Sequence, residues 1–443
     1  MTSDVNVEES DTGDVGDVDP VKTEEVEEVS TVMGALTHVL CDTPQYDPYT
    51  RLSAVMNLAN VLLYIFDYVM DIMVVYWLHQ EEKADERVWT WLVLTLCLIF
   101  LPLVVVNLFS IVWFHEDHKV HEGGFCPAPE KRSLQQRLGL IISHLLLVGP
   151  VVRQCQVISV GLQEMKHPHR QAGGARCQHS SAVCRSPEYV QLYMKRKYYE
   201  RDLAYLTMID SFTQDAPQLL LQSFILLSNH YSELQHWETS VTQLASVLLS
   251  LLSLSLSLVS YSQASRWADP SMPQLSLLAR LSLWLWRLFS LAARMMVLCV
   301  FLTVFTWQFF LFLSLHYSLM LVWILAMRSN FCGSIDGVRR PVSEFVFNIV
   351  MAAVFIFDIV NIKEGPSRLK NTVYYILVSV ENSLLMYFWW SGNFTLIGVD
   401  KIVIIGIFPI LQITAFILLY IYYKKFHPDC RNIPNYSQSA QLL

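Results

Sequence analysis

Charge is scarce in this chain. Of its 443 residues only 16% are Asp, Glu, Lys or Arg, against 53% hydrophobic and 12% aromatic. That balance excludes an ordinary soluble enzyme and points to an integral membrane protein. Catalytic signatures are missing too: the sequence contains no phosphate-binding loop, nucleophile elbow, HExxH motif or dinucleotide fingerprint, so neither an enzyme, a cofactor nor a nucleic-acid partner is expected. Nine cysteines occur without dense spacing, and Cys97, Cys155 and Cys299 sit inside hydrophobic segments, which excludes a disulfide scaffold. No positively charged apolar stretch opens the chain. A cleavable signal peptide is therefore not expected, and the first span serves as the insertion signal.

The charge that is present is unevenly placed. Residues 1–47 hold thirteen acidic residues and one basic residue, Lys22, leaving a net +4 on the remainder; residues 1–50 read as a disordered, cytoplasmic acidic arm. Ten hydrophobic segments follow, at about 53–78, 89–114, 138–161, 203–227, 239–263, 281–302, 304–327, 342–361, 372–390 and 400–423, each near the length that crosses a bilayer. Lys and Arg concentrate in 115–137 and 162–202, on both sides of 138–161, and again in 328–341 and 362–371, on both sides of 342–361. By the positive-inside rule those two segments enter and leave on the same side.

The expected fold is thus an all-α integral membrane protein with eight transmembrane helices plus two re-entrant helical hairpins. It has two pseudo-repeated halves, 51–263 and 281–425, joined by a cytoplasmic connection at 264–280. A short tail, 426–443, follows, and both termini are cytoplasmic. Parallel repeats of this kind place a transported substrate at their interface.

The hydrophobic segments contain residues that hydrocarbon penalises. In 203–227, Asp210, Ser211, Gln214, Asp215, Gln218 and Gln222 fall within an arc of about 140° on a helical wheel, and Pro217 predicts a kink beside them. The first span has its own stripe, Ser53, Asn57, Asn60, Tyr64, Asp67 and Asp71, within about 80°. Glu381 lies in the segment of the second half that corresponds to the one holding Asp210 and Asp215. An intramembrane carboxylate costs about 2.5–3.5 kcal/mol on insertion scales. Arg287 and Arg294, seven residues apart on one helix face, are the candidate counter-ions for Asp67 and Asp71. Polar groups in membrane bundles often only join helices, but the number gathered here is more than joining requires and argues for a polar pathway.

Other motifs are weaker. His115-Glu116-Asp117-His118 has the residue types of a metal cluster but reads as a solvated charge run, and Cys177-x6-Cys184 lacks a zinc spacing. No metal site is expected. Cys126, Cys177, Cys184 and Cys430 fall in segments expected to be cytoplasmic; palmitate on Cys430 is one reading and a free thiol the expected one.

The stretch ERDLAYLTMIDSFTQDAPQLLLQ, with its acidic residues followed by Ala216-Pro217-Gln218-Leu219, resembles the XK-related membrane proteins. So do FDYVMDIMVVYW (66–77), LPLVVVNLFSIVWF (101–114), SHLLLVGPVVR (143–153), NIKEG (361–365), SVENSLL (379–385) and YYKKFHP (422–428). The resemblance covers most of residues 53–428. It implies a phospholipid scramblase of the plasma membrane, from a caspase-activated group that exposes phosphatidylserine in apoptotic cells without ATP. On this reading Asp67, Asp71, Asp210 and Asp215 line or stabilise a headgroup path; Gln218, Gln222, Arg287, Arg294 and Glu381 are expected in that path or in the intramembrane charge network around it. Trp89 resembles a tryptophan that gates lipid in a relative, although a tryptophan at a span end is also an interfacial anchor. The arm contains overlapping D-x-x-D sequences, Asp11–Asp14 and Asp14–Asp17, so an executioner caspase is expected to cut after Asp17 or Asp14. The alternatives are a solute or ion transporter using the same carboxylates, and a non-catalytic subunit bound to another membrane protein, as the family's founding member is.

Overall fold

The computed structural model describes residues 48–81, 86–116, 134–145, 148–166, 187–227, 237–267, 275–327, 341–361, 367–392 and 401–426. The arm with Asp14 and Asp17, and the sulfurs of Cys126, Cys177, Cys184 and Cys430, lie outside them. So do the side chains of His115–His118. The described residues within 47–168 and 191–443 form one compact unit; of the other, 1–46 with 169–190, only 187–190 are described.

Every regular element among the described residues is helical. In chain order they are α1 (Arg51–Glu81), α2 (Glu86–Glu116), α3 (Leu134–Leu145), α4 (Gly149–Lys166), α5 (Pro187–Thr213), α6 (Asp215–Leu227), α7 (Trp237–Trp267), α8 (Leu277–Val304), α9 (Thr306–Met327), α10 (Pro341–Val354), α11 (Ser367–Ser391) and α12 (Lys401–Ile421), with a π-helical turn at Tyr422–Phe426. Six are long and apolar enough to cross a membrane: α1, α2, α7, α8, α9, and α12 with its π-turn. The expected crossings at 203–227 and 372–390 are helical as well, as α5–α6 and α11. They fall outside that set of six.

α8 is the axis. It packs against α6, α7, α9, α11 and α12, and its Trp286, Leu291, Met295 and Leu298 meet Leu254 and Leu258 of α7 and Tyr374 of α11 in one apolar cluster. α1 packs against α2, α4 and α7 and keeps its outer side exposed, with Leu62, Phe66, Val69, Ile72 and Met73 turned outward. An apolar helix face left bare in this way suits hydrocarbon.

Each segment expected to re-enter is interrupted. The first divides into α3 and α4, which pack on each other and on α2. Gly149 opens α4 by donating its N–H to Asn107 Oδ1 at 2.9 Å, while His144 of α3 lies 2.9 Å from Ser110 Oγ of α2. A methyl group on Gly149 would sit 2.7 Å from Asn107 Oδ1 and 3.0 Å from the His144 ring. Gly149→Ala is therefore expected to cost about 1–3 kcal/mol by overpacking, read as a lower thermal midpoint in detergent. The second segment leaves helical geometry after Val354, turning through Phe355–Phe357 and continuing without regular structure to Asn361.

Helix α5 ends at Thr213 and α6 begins at Asp215, which places the break where Pro217 predicts a kink. Pro217 has no N–H for the Thr213 carbonyl, and Thr213 Oγ1 donates back to Ile209 O at 2.7 Å, an interaction that bends helices. At its other end α5 reaches back to Pro187, into a stretch the sequence assigns to a loop.

Candidate functional site

The break between α5 and α6 aims a row of polar side chains at α1 and α7. Asp71 of α1 is 2% exposed and accepts three hydrogen bonds: from Gln214 Nε2 at 3.1 Å, Gln218 Nε2 at 3.4 Å and Ser246 Oγ of α7 at 3.4 Å. One turn earlier, Tyr68 donates its hydroxyl to Gln214 Oε1 at 2.7 Å and reaches Asp210 Oδ1 at 3.5 Å, while Tyr64 reaches the Tyr68 oxygen at 3.5 Å. Asp67 and Asp215 are close enough to interact electrostatically, and Asp215 occupies the first turn of α6, where the helix dipole favours a negative charge. Farther along, Gln222 Nε2 donates to Thr95 Oγ1 of α2 at 3.4 Å.

These residues make one polar column. On α1 the stripe from Asn57 to Asp71 spans about 21 Å at 1.5 Å per residue. Among the described residues no lysine or arginine forms an ion pair with Asp67, Asp71, Asp210 or Asp215. Gln218 Oε1 and Gln222 Oε1 are buried acceptors without a donor among the described residues. Asn60, grouped with the α1 stripe by its spacing, is instead exposed.

The expected counter-ions serve elsewhere, and that expectation is corrected here. Arg287 Nη1 contacts Asp358 Oδ1 at 2.7 Å, Ile359 O at 2.7 Å and Tyr375 Oη at 3.0 Å. Arg294 reaches Glu381 Oε2 at 3.1 Å, Asn382 Oδ1 at 2.7 Å and Ile356 O at 3.1 Å. His316 places Nδ1 2.9 Å from the Glu381 carboxylate and Nε2 3.0 Å from Phe355 O. Phe355 O also accepts from Tyr374 at 2.8 Å, and Asn361 O accepts from Tyr261 at 3.1 Å. The physical reason is the interruption after α10: carbonyls released from a helix inside a bundle need donors, and two guanidiniums with three rings supply them. Asp358, His316, Tyr374 and Tyr375 belong to this network and are absent from the sequence-based candidates.

A third group lies near the beginning of α1. Arg196 Nε meets Glu164 Oε2 at 2.6 Å, Arg196 Nη1 meets Glu200 Oε1 at 2.6 Å, and Arg153 pairs with Asp202 at 3.3 Å. Trp89, by contrast, is 55% exposed in the first turn of α2 and is not a member of the three networks.

Long apolar helices around sealed charge networks define the class: a helical, multi-pass membrane protein. A family model described as XK-related protein matches residues 55–428, most of the chain, and the protein belongs to the XK-related family.

Proposed function

We propose that the protein is an energy-independent phospholipid scramblase that exposes phosphatidylserine at the plasma membrane of apoptotic cells. Its headgroup path is the column of Asp67, Asp71, Asp210, Asp215, Gln218 and Gln222. What supports this reading is a row of carboxylate and amide oxygens, free of guanidinium partners among the described residues, set against α1, whose outer face is apolar and exposed. A lipid headgroup crosses hydrocarbon only at high cost, and polar groups that replace its water lower that cost. Acceptor oxygens suit the N–H donors of serine and ethanolamine headgroups, and the carboxylates attract the quaternary ammonium of choline by charge alone. Family membership favours the same reading.

On this proposal α5–α6 and α11 join the six apolar helices as crossings seven and eight, both interrupted segments re-enter from the cytoplasmic side, and both termini are cytoplasmic. Arg287, Arg294 and Glu381 hold the second re-entrant segment, and Trp89 gates the path from its exposed position.

Liposomes with leaflet-labelled lipid test the proposal. The protein without its arm should equilibrate the label without ATP; passage of a solute or ion with no lipid movement would favour the transporter reading instead. Regulation has its own check. Incubation with an executioner caspase should remove the arm after Asp17 or Asp14 and speed lipid equilibration, and an Asp14→Ala/Asp17→Ala chain should stay intact and slow, as read by gel and by the same liposome assay.

A further inference from the structure

The polar column has a stopper at the end where α1 begins. Tyr49 directly precedes the helix cap, in which Thr50 and Ser53 exchange hydrogen bonds (Ser53 N to Thr50 Oγ1 at 3.1 Å, Thr50 N to Ser53 Oγ at 3.3 Å). The ring does not face outward: Tyr49 is 5% exposed. Three helices hold it. Its N–H donates to Glu164 Oε1 of α4 at 3.2 Å, the guanidinium of Arg196 on α5 lies 5.3 Å from its ring centroid, and its hydroxyl accepts from Asn57 Nδ2 of α1 at 3.2 Å. Beneath the ring is Gly161 of α4, where a methyl group would sit 2.5 Å from the ring carbons.

The first member of the α1 stripe, Ser53, is engaged in the helix cap, so Asn57 is the lowest one bonded outside the cap, and the stripe continues through Tyr64 and Asp67 to Asp71. The Tyr49 ring therefore covers the lowest rung of the column and separates it from the Glu164–Arg196–Glu200 group. Withdrawing the ring would expose a buried carboxylate, a guanidinium and the Asn57 amide together, and such a cluster draws in water. We infer that Tyr49 is a plug that seals the inner end of the polar column, seated in a socket of Gly161, Glu164, Arg196 and Asn57. Its consequence for lipid movement rests on the scramblase reading; the seal itself does not.

Water access along the column tests the seal. The full-length protein with Asn57 in place, in nanodiscs open on both faces, is exposed to hydroxyl radicals, and oxidative labelling of Tyr64 and Tyr68 is followed by mass spectrometry. Tyr49→Ala, which removes the plug, or Gly161→Ala, which displaces it while leaving Tyr49 intact, is expected to speed labelling by about tenfold or more, since a closed state opens to water. Labelling unchanged in both folded variants overturns the plug. A structural anchor would act differently from a seal, so lipid movement is measured as well. The uncut protein with Tyr49→Ala or Gly161→Ala alone should equilibrate lipid faster than the uncut wild type. Faster labelling without faster lipid movement retains the seal and overturns the lipid path.

Discussion

Replacing Arg287 by methionine is expected to destabilise the fold severely. Arg287 and Asp358 are 4% and 0% exposed, and one Asp358 oxygen gathers Arg287, the Tyr375 hydroxyl at 2.6 Å and the Ile359 N–H at 2.8 Å. Removing the guanidinium leaves an uncompensated buried carboxylate and strips a donor from Ile359 O, a loss of about 3–5 kcal/mol. Against a total stability of about 5–15 kcal/mol that is a large fraction, and the midpoint for heat-induced loss of the monodisperse peak in size exclusion should fall on the order of 10 °C. Arg287→Lys should rescue only partly, since an ammonium is a compact charge and not a planar fork. Arg287→Met combined with Asp358→Leu should recover much of the loss, because a missing pair costs less than a broken one. Equal destabilisation in the single and double variants would show that packing, not charge, is what Arg287 supplies.

The partnership of Arg287 with Asp358 also marks where the sequence stops being legible. Wheel arithmetic gave the shared face of Asp210, Gln214, Asp215, Gln218 and Gln222, and the missing amide of Pro217 located the helix break, because both follow from chain geometry within one segment. Loop charges located the two interrupted segments. They could not say which helix faces which. Asp358 sits alone in the apolar run Phe355–Val360 and His316 alone in α9, so neither makes a pattern, and their partners lie 71 and 65 positions away. Arg287 and Arg294 looked like counter-ions for the α1 carboxylates because those were the conspicuous unpaired charges; the carbonyls freed after α10 were invisible as a demand for donors. The extension of α5 back to Pro187 was hidden for another reason. Its charges satisfied the positive-inside rule as a loop would, although Arg196 and Glu200 stand at the i, i+4 spacing that supports a helix.

Asp71→Asn is expected to slow lipid equilibration by about ten- to a hundredfold while leaving the protein folded. The amide keeps the size of the carboxylate but loses its charge, and it turns a donor toward one of the groups that now donate to Asp71: Gln214, Gln218 or Ser246. A hydrogen bond to a charged group contributes about 1.5–3 kcal/mol, and each 1.4 kcal/mol on a barrier is about tenfold in rate. Asp215→Asn should act in the same direction, since Asp215 faces Asp67 at the start of α6. Glu381→Gln provides the contrast. Its carboxylate meets Arg294 at 3.1 Å and His316 at 2.9 Å, so its loss should lower the thermal midpoint yet change the rate per folded molecule by less than about threefold, well under one decade. The three variants are compared in the leaflet-label assay at equal amounts of folded protein. If Asp71→Asn and Asp215→Asn match wild type, or if Glu381→Gln slows lipid movement as much as they do, the column on α1 and α6 is not the path. The two charge networks would then differ in their partners but not in their work.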